Sequence, residues 1–381
     1  MPAMPKMPDR LTGQDTDKII PARQSHKKLK RGLLIGSASL VALFVIIPFT
    51  VVLIVLAVIF SGRHETDPAL ALSLADYPGL VMEEETFLSA SGEQLQGYFY
   101  QPASLPSSGL IIMAHGFGGG GHNSYMEEAW WFSQAGYYVF AYDATANDKS
   151  TGSGIGGFEQ GILDLDRAIA TAESHPEVDG LKVCLFGHSW GAYSASCVLT
   201  MHPEVSAVCA VSGMNSGIGL IEQEGVSHGG PAASLLMPWF RAVLSARFPG
   251  LTGLTSLYAY EESDAGVLII HGENDTTILP GWGYDIYASS LRDDDRFTFL
   301  LIPDRGHDDI LRSDEAIAGI TAFNEEYTSA YLAAYPQEDA TDEQLAAFRE
   351  EYLKNNLSRS LWAYKDDPAL MQSIIAFFDA A

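Results

Sequence analysis

The sequence predicts an α/β fold, a mostly parallel sheet covered by helices, that follows a single transmembrane helix. Two observations lead to this prediction. A run of 28 residues without charge, Leu33 to Phe60, precedes the part of the chain that has a globular composition. From residue 81 onward, short apolar segments alternate with amphipathic ones, which is the pattern of strands connected by helices across a parallel sheet.

The uncharged run is long enough to cross a bilayer. About 20 apolar residues span the hydrocarbon core, whereas the apolar stretch of a cleaved signal peptide has only about 7–15 residues. We therefore favour an uncleaved signal anchor at residues 33–60 over a cleaved leader or a helix buried in a soluble core.

Basic residues before this run indicate its orientation. Residues 1–31 contain eight Lys or Arg and three Asp, and four of the basic residues directly precede the anchor: Lys27, Lys28, Lys30 and Arg31. Positive charge favours the cytoplasmic side. We predict a cytoplasmic tail at 1–32, a tether at 61–80 and an extracytoplasmic globular domain at 81–381.

The charge of the globular part excludes one class of partner. Beyond residue 31 the chain has 45 acidic and 14 basic residues, a formal charge of −31. Such a surface repels phosphate backbones, so we expect no binding of nucleic acid.

The three cysteines, Cys184, Cys197 and Cys209, lie within 26 residues of one another. They have neither metal-ligand spacing nor the even number of a disulfide framework. Free buried thiols are the favoured interpretation, and a bridge between Cys184 and Cys209 is the alternative.

The predicted elements of the globular part follow in order. An antiparallel hairpin opens it, at 81–89 and 94–101. Buried strands are predicted at 110–114, 137–142, 181–186, 205–211, 267–271 and 296–302. Helices are predicted at 124–135, 159–174, 190–201, 281–291 and 368–379.

One pentapeptide has a strong chemical signature. GHSWG, residues 187–191, directly follows the apolar strand Val183–Phe186 and precedes a segment of small residues. This strand–turn–helix context is that of a nucleophile elbow, where a tight turn presents a serine above the sheet. Ser189 is therefore the candidate nucleophile, and an ordinary strand-to-helix turn is the alternative.

A nucleophilic serine needs a base, and the base needs an orienting acid, in the chain order Ser, Asp or Glu, His. Asp275 and His307 each follow a predicted strand, and so lie at the same edge of the sheet as Ser189. We predict His307 as base and Asp275 as acid. Three carboxylates nearer in sequence are the alternatives: Asp304, Asp308 and Asp309.

Two backbone N–H groups are expected to bind the developing oxyanion. Trp190, directly after the nucleophile, supplies one. The other is assigned to Phe117, in the glycine-rich loop HGFGGGG after the strand LIIMA. Gly118 to Gly121 let this backbone approach a substrate closely, although a plain flexible loop is the alternative interpretation.

The segment GSGIGG, residues 152–157, matches the glycine spacing of a dinucleotide site. It begins ten residues after its strand ends, whereas a dinucleotide needs a tight strand-to-helix turn. We therefore predict no cofactor, and no residues with metal-ligand spacing are apparent.

The motifs HGFGG, GHSWG, HGEND and DRGHDDI, in this order and spacing, resemble the α/β-hydrolase superfamily over roughly residues 82–312 and the last helix. More narrowly, the chain resembles bacterial membrane-anchored hydrolases related to the serine aminopeptidase-like and prolyl-oligopeptidase-like branches. The resemblance implies the α/β-hydrolase fold, but it does not imply a substrate, because this fold hosts many functions. It also implies a triad of Ser189, Asp275 and His307, with Phe117 and Trp190 in the oxyanion hole.

Two segments are expected to vary within the superfamily. Residues 213–263 are predicted to form a small cap, with apolar residues facing the site or packing on the core: Met214, Leu235, Leu236, Met237, Trp239 and Phe240. Residues 313–366 are predicted to be an acidic helical insertion broken at Pro336. This insertion is interpreted as a solvated surface addition, with a lid or partner element as the alternative.

Three functions stay open at this point. The leading one is an extracytoplasmic serine hydrolase that cleaves carboxylic esters through an acyl-enzyme on Ser189. An aminopeptidase-like serine peptidase is the second, in which acids such as Glu222 and Glu224 hold the free amino end. The third is a non-catalytic membrane-tethered binding module. The expected substrate is a small ester or a short peptide, and the sequence predicts neither protein partners nor oligomeric state.

Overall fold

The computed structural model describes residues 22–336 and 340–381. Much of the predicted cytoplasmic tail, residues 1–21, therefore lies outside the described residues. The chain divides into two units, residues 1–51 and 52–381.

The first unit is helical over its described residues. It contains α1 (Ala22–Val41), a π-helical turn (Ala42–Ile46) and the start of α2 (Ile47–Phe60). The stretch Leu29–Phe60 is long and apolar enough to cross a membrane. Because it lies near the N-terminus, a membrane anchor and a signal sequence both fit this finding.

One eight-stranded sheet forms the centre of the second unit, in the order β1-β2-β4-β3-β5-β6-β7-β8. β2 pairs antiparallel with β1 and β4, and every other pairing is parallel. The predicted opening hairpin and mostly parallel sheet are thus confirmed. The strands are β1 (Met82–Leu88), β2 (Gln94–Tyr100), β3 (Gly109–Ala114), β4 (Tyr137–Asp143), β5 (Val183–His188), β6 (Val205–Val211), β7 (Gly266–Gly272) and β8 (Phe297–Ile302).

Helices follow the strands in the second unit. They are α3 (Met126–Gln134), α4 (Gln160–Glu173), α5 (Trp190–Cys197), α6 (Gly217–Gly229), α7 (Met237–Arg247), α8 (Ser256–Glu261), α9 (Tyr284–Leu291), α10 (Asp314–Ala334), α11 (Asp342–Asn356), α12 (Arg359–Ala363) and α13 (Pro368–Ala380).

Both faces of the sheet are buried along its central strands. Side chains alternate between the faces of a strand, and on β3 Leu110 and Ile112 belong to one apolar cluster while Ile111 and Met113 belong to another. A strand with two apolar faces reads as an unbroken hydrophobic run. This explains why apolar and polar residues do not alternate in the segment LIIMA.

The predicted cap region holds α6, a 3₁₀ segment (Pro231–Leu236), α7 and α8, between β6 and β7. Met214, Met237 and Phe240 are buried in the main core, whereas Leu235 is 73% exposed. The apolar residues predicted for this region therefore pack mostly on the core. Leu236 and Trp239 also pack against it, partly buried.

Between β8 and α13 the chain forms α10, α11 and α12, in the region predicted as an acidic helical insertion. Aromatic rings from α10 and α11 pack on each other, for example Tyr327 against Tyr352 at a centroid distance of 5.3 Å. The limits of the cap, of this insertion and of the tether at 61–80 stay predictions.

All three cysteines are free and buried. Cys184 on β5 pairs in register with Ala207 on β6, and Cys209 pairs with Phe186. The favoured interpretation of buried thiols is confirmed.

Candidate active site

The turn at Ser189 connects β5 to α5 with a strained backbone. Ser189 has φ 57° and ψ −118°, a region that non-glycine residues rarely adopt and that is found at functional sites. A Cβ on Gly187 would collide with the carbonyl of Gly191, and one on Gly191 would collide with the carbonyl of Ala114. Glycine is therefore required on both sides of the serine.

His307 lies between the other two predicted residues of the triad. Its Nε2 is 2.8 Å from Ser189 Oγ, and its Nδ1 is 2.7 Å from Asp275 Oδ2. Both distances are within hydrogen-bonding range. The structure thus brings together three side chains that are separated by up to 118 positions in the chain.

Asp275 is held in a buried position by hydrogen bonds. Its Oδ1 accepts the N–H groups of Thr277 and Ile278, at 2.9 and 2.8 Å. Burial by itself would raise the pKa of this carboxyl, but the hydrogen bond and charge of His307, with the N–H of Ile278, outweigh burial and hold the pKa below its usual value. The acid therefore stays ionised, as required for orienting an imidazole.

The ring nitrogens of His307 bond to Asp275 and Ser189 and to none of the three alternative carboxylates. Asp304 and Asp308 are exposed to solvent. Asp309 Oδ1 accepts the N–H of Gly306 at 2.6 Å, so it shapes the loop that carries His307.

The residues that carry the predicted oxyanion donors, Phe117 and Trp190, line the same cavity as Ser189. A Cβ on Gly116, next to Phe117, would be 3.5 Å from Ser189 Cβ, so the glycine-rich loop reaches the nucleophile. Within the part of the chain that the structure describes, the N–H groups of Phe117 and Trp190 donate to no protein acceptor. Two donors are thus available beside Ser189.

A hydrogen-bonded chain that the sequence did not indicate connects this loop to the histidine loop. The N–H of Gly116 donates to the hydroxyl oxygen of Tyr125 at 3.0 Å. Tyr125 in turn donates to His188 Nδ1 at 2.8 Å, and His188 Nε2 donates to the carbonyl of His307 at 3.1 Å. This assignment uses a neutral His188, and burial, with the nearby ring of His307, lowers the pKa of His188 to about 3.

His115 supports the same loop. Its Nε2 accepts the N–H of Ala144 at 2.9 Å, so its Nδ1 carries the proton and donates to the Gly116 carbonyl at 2.7 Å. Burial lowers the pKa of His115.

Ser189 opens into a cavity of about 600 Å³, a size typical of small-molecule sites. Its lining includes apolar side chains from the cap region and neighbouring loops: Phe117, Phe158, Met214, Leu220 and Ile278. Its lining also includes charged side chains: Asp67, Glu128, Asp308, Arg312, Lys365 and Asp366. The ranges predicted as tether and as acidic insertion therefore both contribute to the wall.

The acids in this wall differ from those that the sequence suggested. Glu222 and Glu224 are absent from the described lining, whereas Glu128 and Asp366 are in it and almost fully buried. Burial raises the pKa of Glu128 to about 7. Burial, together with the charges of Glu128 and Glu127, also raises the pKa of Asp366. No local pattern in the sequence marks either residue.

The glycine-rich segment 152–157 lies against other parts of the protein. A Cβ on Gly154 would collide with the carbonyl of Phe60, and one on Gly157 would meet Phe248 at 2.6 Å. Its glycines thus permit close packing between backbone segments.

Three features define an α/β-hydrolase fold: the strand order, the elbow after β5, and a histidine after β8 that lies between Ser189 and an aspartate after β7. The family model described as serine aminopeptidase, S33, matches residues 106–255 of this chain. This match includes Phe117, Ser189 and Trp190. No curated protein sequence matches the chain.

Solved structures with similarity to the chain include several hydrolases. An esterase from Pyrococcus furiosus has 18% identity and a TM-score of 0.49, covering 71% of this chain and 96% of its own. A hypothetical protein from Pseudomonas aeruginosa has 17% identity and a TM-score of 0.49, with coverage of 64% and 93%. Acetyl xylan esterase 1 from Thermoanaerobacterium has 16% identity and a TM-score of 0.44, with coverage of 65% and 91%.

Proposed function

We propose that this hydrolase is a membrane-anchored serine enzyme that cleaves carboxylic esters through an acyl-enzyme on Ser189. The observation that carries the proposal is the position of His307, within hydrogen-bonding distance of both Ser189 Oγ and Asp275. This is the arrangement of a nucleophile, a general base and an orienting acid.

In the first half-reaction Ser189 Oγ attacks the carbonyl carbon of the ester while His307 Nε2 takes the hydroxyl proton. The N–H groups of Phe117 and Trp190 stabilise the negative oxygen of the tetrahedral intermediate. Asp275 stabilises the imidazolium that has formed. When the intermediate collapses, the ester C–O bond breaks and His307 protonates the departing alcohol.

In the second half-reaction water replaces the alcohol. His307 takes a proton from the water as the oxygen attacks the acyl carbon. Collapse then releases the carboxylic acid and returns the proton to Ser189 Oγ. Overall one ester and one water become an acid and an alcohol.

The apolar side chains in the cavity lining support an ester substrate over a peptide. A peptidase that removes N-terminal units needs ionised acids to hold a free ammonium group, and the two buried acids in the wall have raised pKa values. Peptidase activity is still the second candidate, because two further carboxylates, Asp67 and Asp308, also lie in the cavity wall.

The proposed location follows from charge and hydropathy. The apolar helix is the anchor, and the basic residues before it favour a cytoplasmic N-terminus with the catalytic domain outside.

A fluorophosphonate probe tests the nucleophile. We expect the parent chain to be labelled and Ser189→Ala to be unlabelled and inactive, while Ser91→Ala, a change in an exposed turn, behaves like the parent. Labelling that persists in Ser189→Ala would disprove the assignment. p-Nitrophenyl esters of increasing chain length, assayed beside aminoacyl anilides, distinguish esterase from peptidase.

A further inference from the structure

The end of the apolar helix is part of the catalytic unit. Val52, Leu56 and Phe60 lie four residues apart on one face of α2 and are 0%, 5% and 2% exposed in the main core. Residues on other faces of this helix are exposed, such as Val58 at 77%. The stripe is therefore packed within the unit that also carries the triad.

The length of the apolar run is consistent with the packing of its end in the catalytic unit. About 20 residues are enough to cross the hydrocarbon core, and the run of 28 residues leaves about eight over. Residues 52–60, whose one face is buried on the protein, account for this excess.

Phe60 contacts the predicted oxyanion residue. Its ring lies 6.1 Å from the ring of Phe117 and 4.9 Å from that of Phe158, between centroids. His64 approaches Phe117 from the same segment, at 4.8 Å, and Trp190 packs on it at 6.0 Å. The ring of Phe158 also lies 5.8 Å from that of Phe117. Four rings thus pack around the Phe117 side chain, and two of them precede residue 81, the predicted start of the domain.

The backbone after Phe60 is fixed to the loop that follows β4. The N–H of Gly62 donates to Ser153 O at 2.8 Å, and that of His64 donates to Ala146 O at 3.0 Å. The N–H of Asp148 returns a bond to His64 O at 2.9 Å. The segment directly after the helix is therefore held in place and does not act as a free linker.

Asp148 connects the same segment to the far end of the glycine-rich loop. Its carboxylate accepts the N–H and hydroxyl of Thr66, at 2.5 and 2.7 Å, and also the N–H of Gly121, at 2.7 Å. Thr66 also occupies the space that a Cβ on Gly120 would need. Phe60 and Thr66 thus support the loop at both ends.

Such support has a physical purpose. Gly118 to Gly121 are four consecutive glycines, and glycine loses more conformational freedom on ordering than any other residue. An oxyanion donor contributes most when it is held in position before the reaction. We propose that residues 60–66 are a positioning element for the oxyanion hole, with Phe60 fixing Phe117, so that the catalytic unit begins near Val52 rather than at residue 81. This proposal rests on the proposed function, because it assigns an oxyanion role to Phe117.

Phe60→Ala tests the proposal in the full chain in detergent micelles, with an activated short-chain ester. Loss of a complete oxyanion donor costs about 10²–10³ in kcat, and a displaced donor should cost about 10- to 100-fold. We expect KM to change less than threefold, and Phe60→Leu to recover most of the lost rate because it refills the space.

Phe87→Ala is the matched control. Phe87 is a buried phenylalanine of the same core cluster, and it packs on Phe140 and Tyr142. We expect its truncation to lower Tm while kcat, measured well below Tm, stays within about twofold of the parent. A Phe60→Ala variant that behaves in the same way would overturn the proposal.

Asp148→Asn is the second variant, and it tests the proposal independently if Phe60→Ala does not fold. Both carboxylate oxygens of Asp148 accept hydrogen bonds, and an amide has only one acceptor oxygen. We therefore expect kcat to fall about tenfold or more at nearly unchanged KM. Parental kcat in a folded Asp148→Asn protein would contradict the proposal. If Ser189→Ala keeps its activity, the proposed function itself fails, which is a different outcome.

Discussion

The Nε2 atom of His188 lies 3.1 Å from the carbonyl oxygen of His307. The residue before Ser189 therefore holds the backbone of the predicted general base. Through Tyr125 the same imidazole is connected to Gly116, at the start of the oxyanion loop. The two halves of the candidate site are thus linked by hydrogen bonds as well as by the sheet.

Tyr125→Phe should disturb both halves of the site together. The change leaves the Gly116 N–H without its acceptor and His188 Nδ1 without its donor, and an unsatisfied buried group costs about 1–3 kcal/mol. We expect kcat to fall about tenfold on an activated ester. Tyr258→Phe, at a side chain that is 51% exposed, serves as control. A Tyr125→Phe protein with parental kcat would show that this link has no part in catalysis.

Asp275→Asn should reduce kcat by at least about 100-fold. The amide can hold the imidazole in the wrong tautomer, an effect that lowers kcat about 10⁴-fold in serine proteases. Asp304→Asn, Asp308→Asn and Asp309→Asn are each expected within about tenfold of the parent. The measurement is kcat for all four on one activated ester, with folding checked by circular dichroism. If Asp275→Asn keeps near-parental kcat while one of the other three variants loses its activity, the acid is misassigned.

Glu128→Gln should stabilise the protein at alkaline pH. The folded-state pKa of Glu128 is about 7, against an ordinary value of 4.5, so unfolding releases a proton between these values. Stability therefore falls as the pH rises from about 4.5 to 7, by at most about 3 kcal/mol at 1.36 kcal/mol per unit. We expect a higher Tm than the parent at pH 8 and an equal Tm at pH 4. A Tm difference of the same size at both pH values would contradict this account.

Protease added outside intact cells should remove the catalytic domain and leave the N-terminal tail protected. The prediction rests on the basic residues before Leu33 and on the positive-inside rule. Tags at the two ends, followed by immunoblotting, report which end survives. Digestion of the tail with survival of the domain would reverse the proposed orientation.

Much of the fold was predictable because its signals are local. Apolar runs such as LIIMA identify buried strands, and the elbow at Ser189 fixes one strand end. Asp275 and His307 could be chosen because the carboxyl ends of parallel strands meet at one edge of the sheet. Their hydrogen-bonded geometry agrees with that choice, and their catalytic roles stay predictions.

The rest of the site depends on contacts between distant segments. Phe60 lies in a segment with the composition of a membrane helix, and nothing in the sequence indicates that one face of this helix packs beside Phe117. Tyr125 lies in an ordinary amphipathic segment, 63 positions from its partner His188. Asp366 reaches the cavity from the predicted insertion. Such pairings are visible only in three dimensions.

The burial of all three cysteines has a practical consequence for labelling. Cys184, Cys197 and Cys209 are each 0% exposed, and burial raises the pKa of each thiol, to about 12 for Cys184. Because the thiolate is the reactive form, the native chain should be inert to maleimides under folding conditions. A single cysteine placed on the surface would then carry a spin label or fluorophore at a defined position, without prior removal of the natural thiols.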